Sequence, residues 1–225
     1  RRADKIIRQH EKYKQQRQQE KIKHMAEHDQ LTGLPNRVLL TKLLNKAVKK
    51  AEENNHTLAV FYMDIDRFKL INDNLGQENG NQILLQLVKR IKSMVTEHEI
   101  VSRIAGDEFV LVQEYSKSSA ISINASRIID ESTKPLSINQ NEVALALSVG
   151  ITLFPEDKNN AENLLKDAEA AMLRAKQLGR NRYAFYAEEF NIRAIERFEL
   201  ERNLHKASKN NEFELFYQSR IDAKS

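Results

Sequence analysis

The chain has 225 residues, 40% of them hydrophobic and 30% charged, with a formal net charge of +4, an ordinary balance for a soluble globular chain. It contains no cysteine, which excludes disulfides and thiolate metal sites. No apolar run is long enough to span a bilayer and no signal-peptide pattern is present. No basic face outside the N-terminal segment is concentrated enough to predict nucleic-acid binding.

Residues 1–28 carry no Gly or Pro and predict a polar helix. Ile6, Tyr13 and Glu20 fall at heptad spacing, with Ile22 and Met25 following. This weak seam fits a solvated helix or a signalling helix that pairs in a dimer. Leu31-Thr32-Gly33-Leu34-Pro35-Asn36-Arg37 breaks that helix, because the residue before a proline is driven away from helical geometry. A second helix is predicted to about Asn54. Thr57–Ile65 is β-branched, aromatic and almost wholly apolar, which predicts a buried central strand. It emerges at Asp64-Ile65-Asp66.

A short helix is predicted over 67–75, then Gly76 and Gly80, then an amphipathic helix over about 81–96 with Ile83, Leu84, Leu87, Val88 and Ile91 on one face. Strands Ile100–Ala105 and Glu108–Gln113 follow, joined by Gly106-Asp107. A glycine first in a two-residue turn is the type II′ hairpin signal. A helix near 118–132, a strand near 143–153, a helix near 161–178 and a strand near 182–187 complete an α+β order, a mixed sheet covered by helices.

Asp64 lies at the end of a buried strand, and Asp107 and Glu108 lie in a hairpin turn. By spacing alone these are either solvated turn residues or a carboxylate cluster. As a cluster without His or Cys they suit a hard, oxygen-loving ion such as Mg²⁺, which in turn suits a triphosphate. Lys176 and Arg180 lie four apart near the end of a predicted amphipathic helix, on one face. They fit a solvated pair that compensates the helix dipole, or a phosphate clamp.

From about Asp29 to Tyr186 the sequence resembles the GGDEF family. The matching pieces are Leu31–Arg37, Asp64-Ile65-Asp66-Arg67-Phe68-Lys69, Ile71-Asn72-Asp73, Ala105-Gly106-Asp107-Glu108-Phe109, Ser148-Val149-Gly150-Ile151 and Ala175–Asn181. The resemblance implies a central five-stranded mixed sheet surrounded by helices, related to nucleotidyl cyclases and polymerase palms. It also implies Mg²⁺-dependent (or Mn²⁺-dependent) condensation of two GTP to cyclic di-GMP and pyrophosphate by a homodimer. It makes Asp64, the Ile65 carbonyl and Asp107 metal ligands, with Asp107 also assisting deprotonation of a 3′-hydroxyl and Glu108 as its partner. Backbone groups around Phe68 and Lys69, with Lys176 and Arg180, would face the nucleotide phosphates, Asn72 would contact the guanine, and Gly106 would let the chain approach the nucleotide closely. The implied organisation is an N-terminal helix over 1–28, a GGDEF domain over 29–188, and a linker with the start of a further domain over 189–225.

The sequence departs from the family pattern in four places. Ala105 stands where the signature leads with glycine. Asn81 stands where the family usually has an aspartate that reads guanine. An amide offers one acceptor and one donor group against guanine's two adjacent donors, so weakened guanine selectivity is expected. Gln77 replaces a histidine. Thr96-Glu97-His98-Glu99 occupies the place of an Arg-x-x-Asp product site, and without the arginine no product inhibition through it is expected.

Past Tyr186, a helix from Arg197 to Leu204 and a strand from Glu212 to Gln218 are similar to the opening of an EAL phosphodiesterase domain, with Ser219 where that family usually has proline. The Glu-Ala-Leu motif is absent from the chain. The chain is therefore expected to be a piece of a longer protein. Its described chemistry would sit in the cytoplasm, and membrane attachment would come only through other parts. The alternative reading is a catalytically weak GTP-binding domain that controls an adjoining EAL domain.

Overall fold

A computed structural model describes residues 2–116, 120–139, 141–156 and 160–187, together with Ala207. The chain divides into two units, Arg1–Ala187 and Glu188–Ser225. The helix and strand expected after Tyr186, and the EAL-like start with them, lie outside the described residues.

The apolar run Thr57–Ile65 is β1, and all but its first residue are buried. It is the middle strand of a five-stranded sheet of order β2-β3-β1-β6-β7, made with β2 (Ile100–Ala105), β3 (Glu108–Tyr115), β6 (Leu147–Phe154) and β7 (Arg182–Phe185). β1 runs antiparallel to both neighbours, and only β6 and β7 pair in parallel. A strand flanked on both sides and covered on both faces needs the near-continuous apolar run seen here. The expected mixed sheet surrounded by helices is thus present.

Side-chain alternation sorts β1 into two faces. Leu58, Val60 and Tyr62 join Val110 and Val112 of β3 in a core with Leu40 and Leu44 of α2 (Arg37–Asn54) and Leu164, Ala168 and Met172 of α6 (Ala161–Gln177). On the other face, α5 (Ile121–Thr133) lies against β6 and β7, and α4 (Gln77–Met94) against α5. α6 lies close on β6 because Gly150 has no side chain. A Cβ there would run into the Ala168 carbonyl and the Met172 amide.

The N-terminal helix α1 (Arg2–Glu27) ends in the connector that holds Gly33 and Pro35. Asn36 then caps α2, its side chain accepting from the Val38 and Leu39 amides, which satisfies two of the donors a helix start leaves unpaired.

Several boundaries differ from the pattern-based expectation. α4 begins at Gln77, not near 81, because Gly76 (φ 85°, ψ 155°) both ends α3 (Phe68–Leu75) and opens α4. Gly80 is therefore inside a helix, and its bare Cα accommodates the Asn72 side chain, which a Cβ would strike. β3 runs on to Tyr115, since Thr57 at the start of β1 pairs with that residue. The single strand expected over 143–153 is divided. A two-stranded ribbon of β4 (Leu136–Ile138) and β5 (Asn141–Val143) precedes β6. The Ala144–Ala146 step between β5 and β6, outside either strand, breaks the apolar run without any Gly or Pro to signal it.

Candidate functional site

Asp64 is the second-to-last residue of β1 and pairs with Glu108 of β3 on one side and Ser148 of β6 on the other. Residues directly opposite in a sheet project from the same face. Asp64 and Glu108 therefore share the face covered by α2 and α6. The Lys176 Nζ from α6 reaches Asp64 Oδ1 at 2.7 Å. Asp64 is 7% exposed. Burial pushes its carboxyl up to about 6, opposed by the Lys176 hydrogen bond and assisted by the charges of Asp107 and Glu108. The three carboxylates singled out in the sequence do converge, and one of the two cations converges with them.

Tyr62 adds a contact that sequence reasoning missed. It lies two residues before Asp64 on the same face, diagonal to Glu108, and its hydroxyl donates to Glu108 Oε2 at 3.0 Å. Burial, then the Glu108 charge, raises its phenol far above the usual range, so it stays a neutral donor. The only advance signal was a tyrosine among the apolar residues of a central strand, which is indistinguishable from ordinary core.

The β2–β3 turn has Gly106 at φ 46° and no positive φ at Asp107, the sign pattern of a type II′ turn. Arg103 fixes the turn: its Nε and Nη2 donate to the Gly106 carbonyl at 2.9 and 2.6 Å, and its Nη1 to Asp29 Oδ1 at 2.9 Å. The same Asp29 oxygen accepts from the Thr32 amide and hydroxyl. The connector after α1 is thereby tied to the carboxylate-bearing turn. The Ile65 amide donates to the Asp107 carbonyl at 3.4 Å, which joins that turn to the end of β1.

Asp66 is buried but serves the scaffold. It accepts from the Ser148 hydroxyl at 2.8 Å and from the Asn181 amide at 3.0 Å, pinning the loop after α6 to the end of β1. That loop corrects the expectation of Lys176 and Arg180 on one helical face. α6 ends at Gln177, and Arg180 is exposed beyond it at φ 63°. Gly179 (φ 117°) turns the chain, with the Arg180 amide donating back to the Ala175 carbonyl.

Phe68 and Lys69 open α3. Their amides thus belong to the first turn, whose donors a helix leaves without intrahelical partners. Farther along α3, Asn72 Oδ1 is enclosed against Gly80 and has no hydrogen-bond partner. Asn81 follows Gly80 in α4 and is half-buried. Two amide side chains thus stand at the α3–α4 junction, one with an unpaired buried acceptor.

Among the described residues no three His, Cys, Asp or Glu side chains form a metal cage by themselves. Mg²⁺ does not need one, since it is usually held by one or two carboxylates plus substrate phosphates. Asp64, Asp107 and the Ile65 carbonyl fit that pattern. A cavity of about 610 Å³ lies elsewhere, lined by Leu34, Leu43, Val95, His98 and Ile100 among others. It abuts the Thr96–Glu99 segment, where Glu99 is already engaged by the Thr96 amide and Gln113 Nε2. No helix among the described residues is long and apolar enough to cross a membrane.

A central antiparallel strand with a carboxylate near its end, beside a hairpin with one carboxylate in its turn and one opening its second strand, is the palm-like sheet of the nucleotidyl cyclases. Within that class the chain belongs to the GGDEF family, matching "Diguanylate cyclase, GGDEF domain" over residues 26–182. It is 35% identical over 191 residues to the bifunctional diguanylate cyclase/cyclic di-GMP phosphodiesterase MucR of Pseudomonas aeruginosa, covering 85% of this chain and 28% of MucR. It is 32% identical over 188 residues to the cyclic di-GMP phosphodiesterase NbdA of the same organism, covering 84% of this chain and 24% of NbdA. The chain thus spans about a quarter of the length of these curated relatives. The solved GGDEF domain of TpbB from P. aeruginosa superposes with a TM-score of 0.69 at 34% identity, covering 71% of this chain and 94% of that one. Cyclases of the family in general depend on a divalent metal.

Proposed function

We propose that residues 29–188 form a diguanylate cyclase domain that binds GTP with Mg²⁺ (or Mn²⁺) and condenses two GTP to cyclic di-GMP as a homodimer. The observation that supports this most is the convergence of Asp64, Asp107 and Glu108 at one end of the sheet with Lys176 2.7 Å from Asp64. A bound Mg²⁺ would neutralise phosphate charge and lower the pKa of a coordinated hydroxyl. Asp64, Asp107 and the Ile65 carbonyl would hold it.

In the proposed reaction the 3′-oxygen of one GTP bonds to the α-phosphorus of the other, and the bond from that phosphorus to the β-phosphate bridging oxygen breaks. Asp107 accepts the 3′-hydroxyl proton, with Glu108 beside it, and pyrophosphate leaves. The reciprocal step in the facing site closes the ring, so two GTP give one cyclic dinucleotide and two pyrophosphates. Lys176, Arg180 and the first-turn amides of Phe68 and Lys69 orient and neutralise the phosphates, and Gly106 lets them approach the hairpin. Each copy holds one GTP, so the reaction requires a second copy of the chain. The α1 helix suits pairing of the two.

Asn72 and Asn81 would read the base. The unpaired Asn72 Oδ1 supports a ligand role, since an enclosed acceptor without a partner costs about 1–3 kcal/mol. Asn81 sets one donor group against guanine's two donors, whereas it pairs both ways with adenine. Guanine recognition is therefore proposed to be weak.

Asn81 also favours a second reading, in which the domain binds GTP, turns it over poorly, and controls an EAL-type domain beginning in residues 189–225. The phosphodiesterase names of MucR and NbdA agree with such a neighbour. Incubation with GTP and Mg²⁺ followed by product chromatography separates the two. A cyclic dinucleotide that disappears with Asp107→Ala supports the cyclase, and GTP binding without product supports the regulatory domain.

A further inference from the structure

Glu108 stands directly across from Asp64 and close to Asp107, so three carboxylates crowd one end of the sheet. Like charges directly opposite on neighbouring strands push one another apart. Some group must then hold Glu108 against rotating toward solvent. Lys176 is engaged by Asp64. The group in contact with Glu108 is the Tyr62 hydroxyl, 3.0 Å from Oε2.

The Tyr62 ring is 4% exposed and packed in the core formed by β1, β3, α2 and α6. The hydroxyl therefore cannot swing away, and a locked ring with a polar tip suits a fixed donor. Sheet register explains the aim. Tyr62 pairs with Val110, so Glu108 is its diagonal neighbour, within reach of a long aromatic side chain. One oxygen of Glu108, Oε2, is thereby committed.

We propose that Tyr62 is a positioning residue for the cation site: its hydroxyl holds the Glu108 carboxylate beside Asp64 and Asp107, ready for the cation that accompanies the nucleotide. The inference rests on the cyclase-type reading of this site. It acts through Glu108 and requires no contact between Tyr62 and substrate.

The test is a double-mutant cycle on the full 225-residue chain with Tyr62→Phe, Glu108→Ala and the pair, since alanine, unlike glutamine, leaves no acceptor for the Tyr62 hydroxyl. Phenylalanine keeps the ring in the core and removes only the donor. Mn²⁺ uptake is measured by the fall in the free-ion EPR signal in the presence of a non-hydrolysable GTP analogue, relative to the same mixture of Mn²⁺ and analogue without protein. Tyr62→Phe should weaken uptake by about 10-fold, the lower end of outer-shell effects on metal affinity. It should weaken it no further in the Glu108→Ala background. A purely structural role would lower affinity equally in both backgrounds, and that result overturns the proposal. So does unchanged affinity in Tyr62→Phe, or a wild type that takes up no Mn²⁺ with the analogue. Should Tyr62→Phe lower the thermal midpoint, the cycle is read well below both transitions and decides on the same criterion. Uptake with the expected coupling but no dinucleotide product would count against the cyclase reaction alone.

Discussion

Lys176 and Asp64 form an ion pair with Nζ 2.7 Å from Oδ1, across the gap between the end of α6 and the end of β1. Each partner is also proposed for a ligand, Asp64 for the divalent cation and Lys176 for phosphate. On that proposal the pair would oppose entry of a cation alone and would be released when a triphosphate draws the lysine off. Lys176→Met should separate the two effects. Nucleotide-free Mn²⁺ affinity should rise, while affinity for a GTP analogue falls by about 10-fold or more, as the loss of a charge-assisted bond implies. Calorimetric titration of each ligand at pH 8 checks this. Parallel losses in both would show that Lys176 only supports the fold.

The placement of Lys176 depends on Gly150. Because a Cβ there would strike the Ala168 carbonyl and the Met172 amide, both backbone groups, neither neighbour can rotate away. Gly150→Ala should cost roughly 3 kcal/mol or more, at or beyond the upper end of core overpacking. The urea midpoint reads that loss, with an unchanged slope. If the variant folds, the lifted helix should also weaken nucleotide binding. A midpoint within experimental error of wild type would show that α6 is not seated on β6 as described.

The sheet was legible because β1 announces itself: an apolar nine-residue run needs two covered faces and two neighbours. The hairpin was legible from Gly106, and the convergence of Asp64, Asp107 and Glu108 followed once β1 and β3 were adjacent. What stayed hidden depends on pairing register or helix ends. The β4–β5 ribbon is made of two three-residue strands, too short to show alternation. The break after Gln177 defeated the Lys176–Arg180 helical pairing, since Gly179 and two residues at positive φ turn the chain. Tyr62 and Asp66 read as core and as motif. Only the register reveals that one holds Glu108 and the other holds the Ser148 hydroxyl and the Asn181 amide.

Asn81 is proposed to decide which base the site accepts. Replacing a carboxylate by an amide against guanine loses one charge-assisted bond and sets donor against donor. Asn81→Asp should therefore tighten GTP binding by about 10-fold, at the low end of 1–3 kcal/mol for such a bond, and should weaken or leave unchanged binding of ATP. Competition of the two nucleotides against one fluorescent analogue measures the ratio directly. A wild-type preference for GTP equal to that of the aspartate variant would remove Asn81 from base recognition.

Glu114 lies at the other end of β1 from Asp64, paired with Leu58. It gathers Lys50 Nζ at 2.8 Å, His56 Nδ1 at 2.7 Å and Asn54 Nδ2 at 3.4 Å. The hydrogen bond from Lys50, then that from His56, lowers its carboxyl from 4.5 to about 2. A carboxylate with a depressed folded pKa binds fewer protons folded than unfolded between those two values. Its contribution is thus complete above about 4.5 and lost as pH falls toward about 2. The Lys50 side chain is 64% exposed, so solvent screening holds the contribution to about 1 kcal/mol or less. Glu114→Gln should be less stable than wild type by that amount at pH 7, and the two should converge as pH drops through that window. Urea denaturation at a series of pH values reads the convergence. A difference that stays constant down to pH 2 would mean the side chain acts by packing and hydrogen bonding, not by its charge. Because Glu114 is remote from the carboxylate cluster, nucleotide affinity at pH 8 should be the same in both proteins.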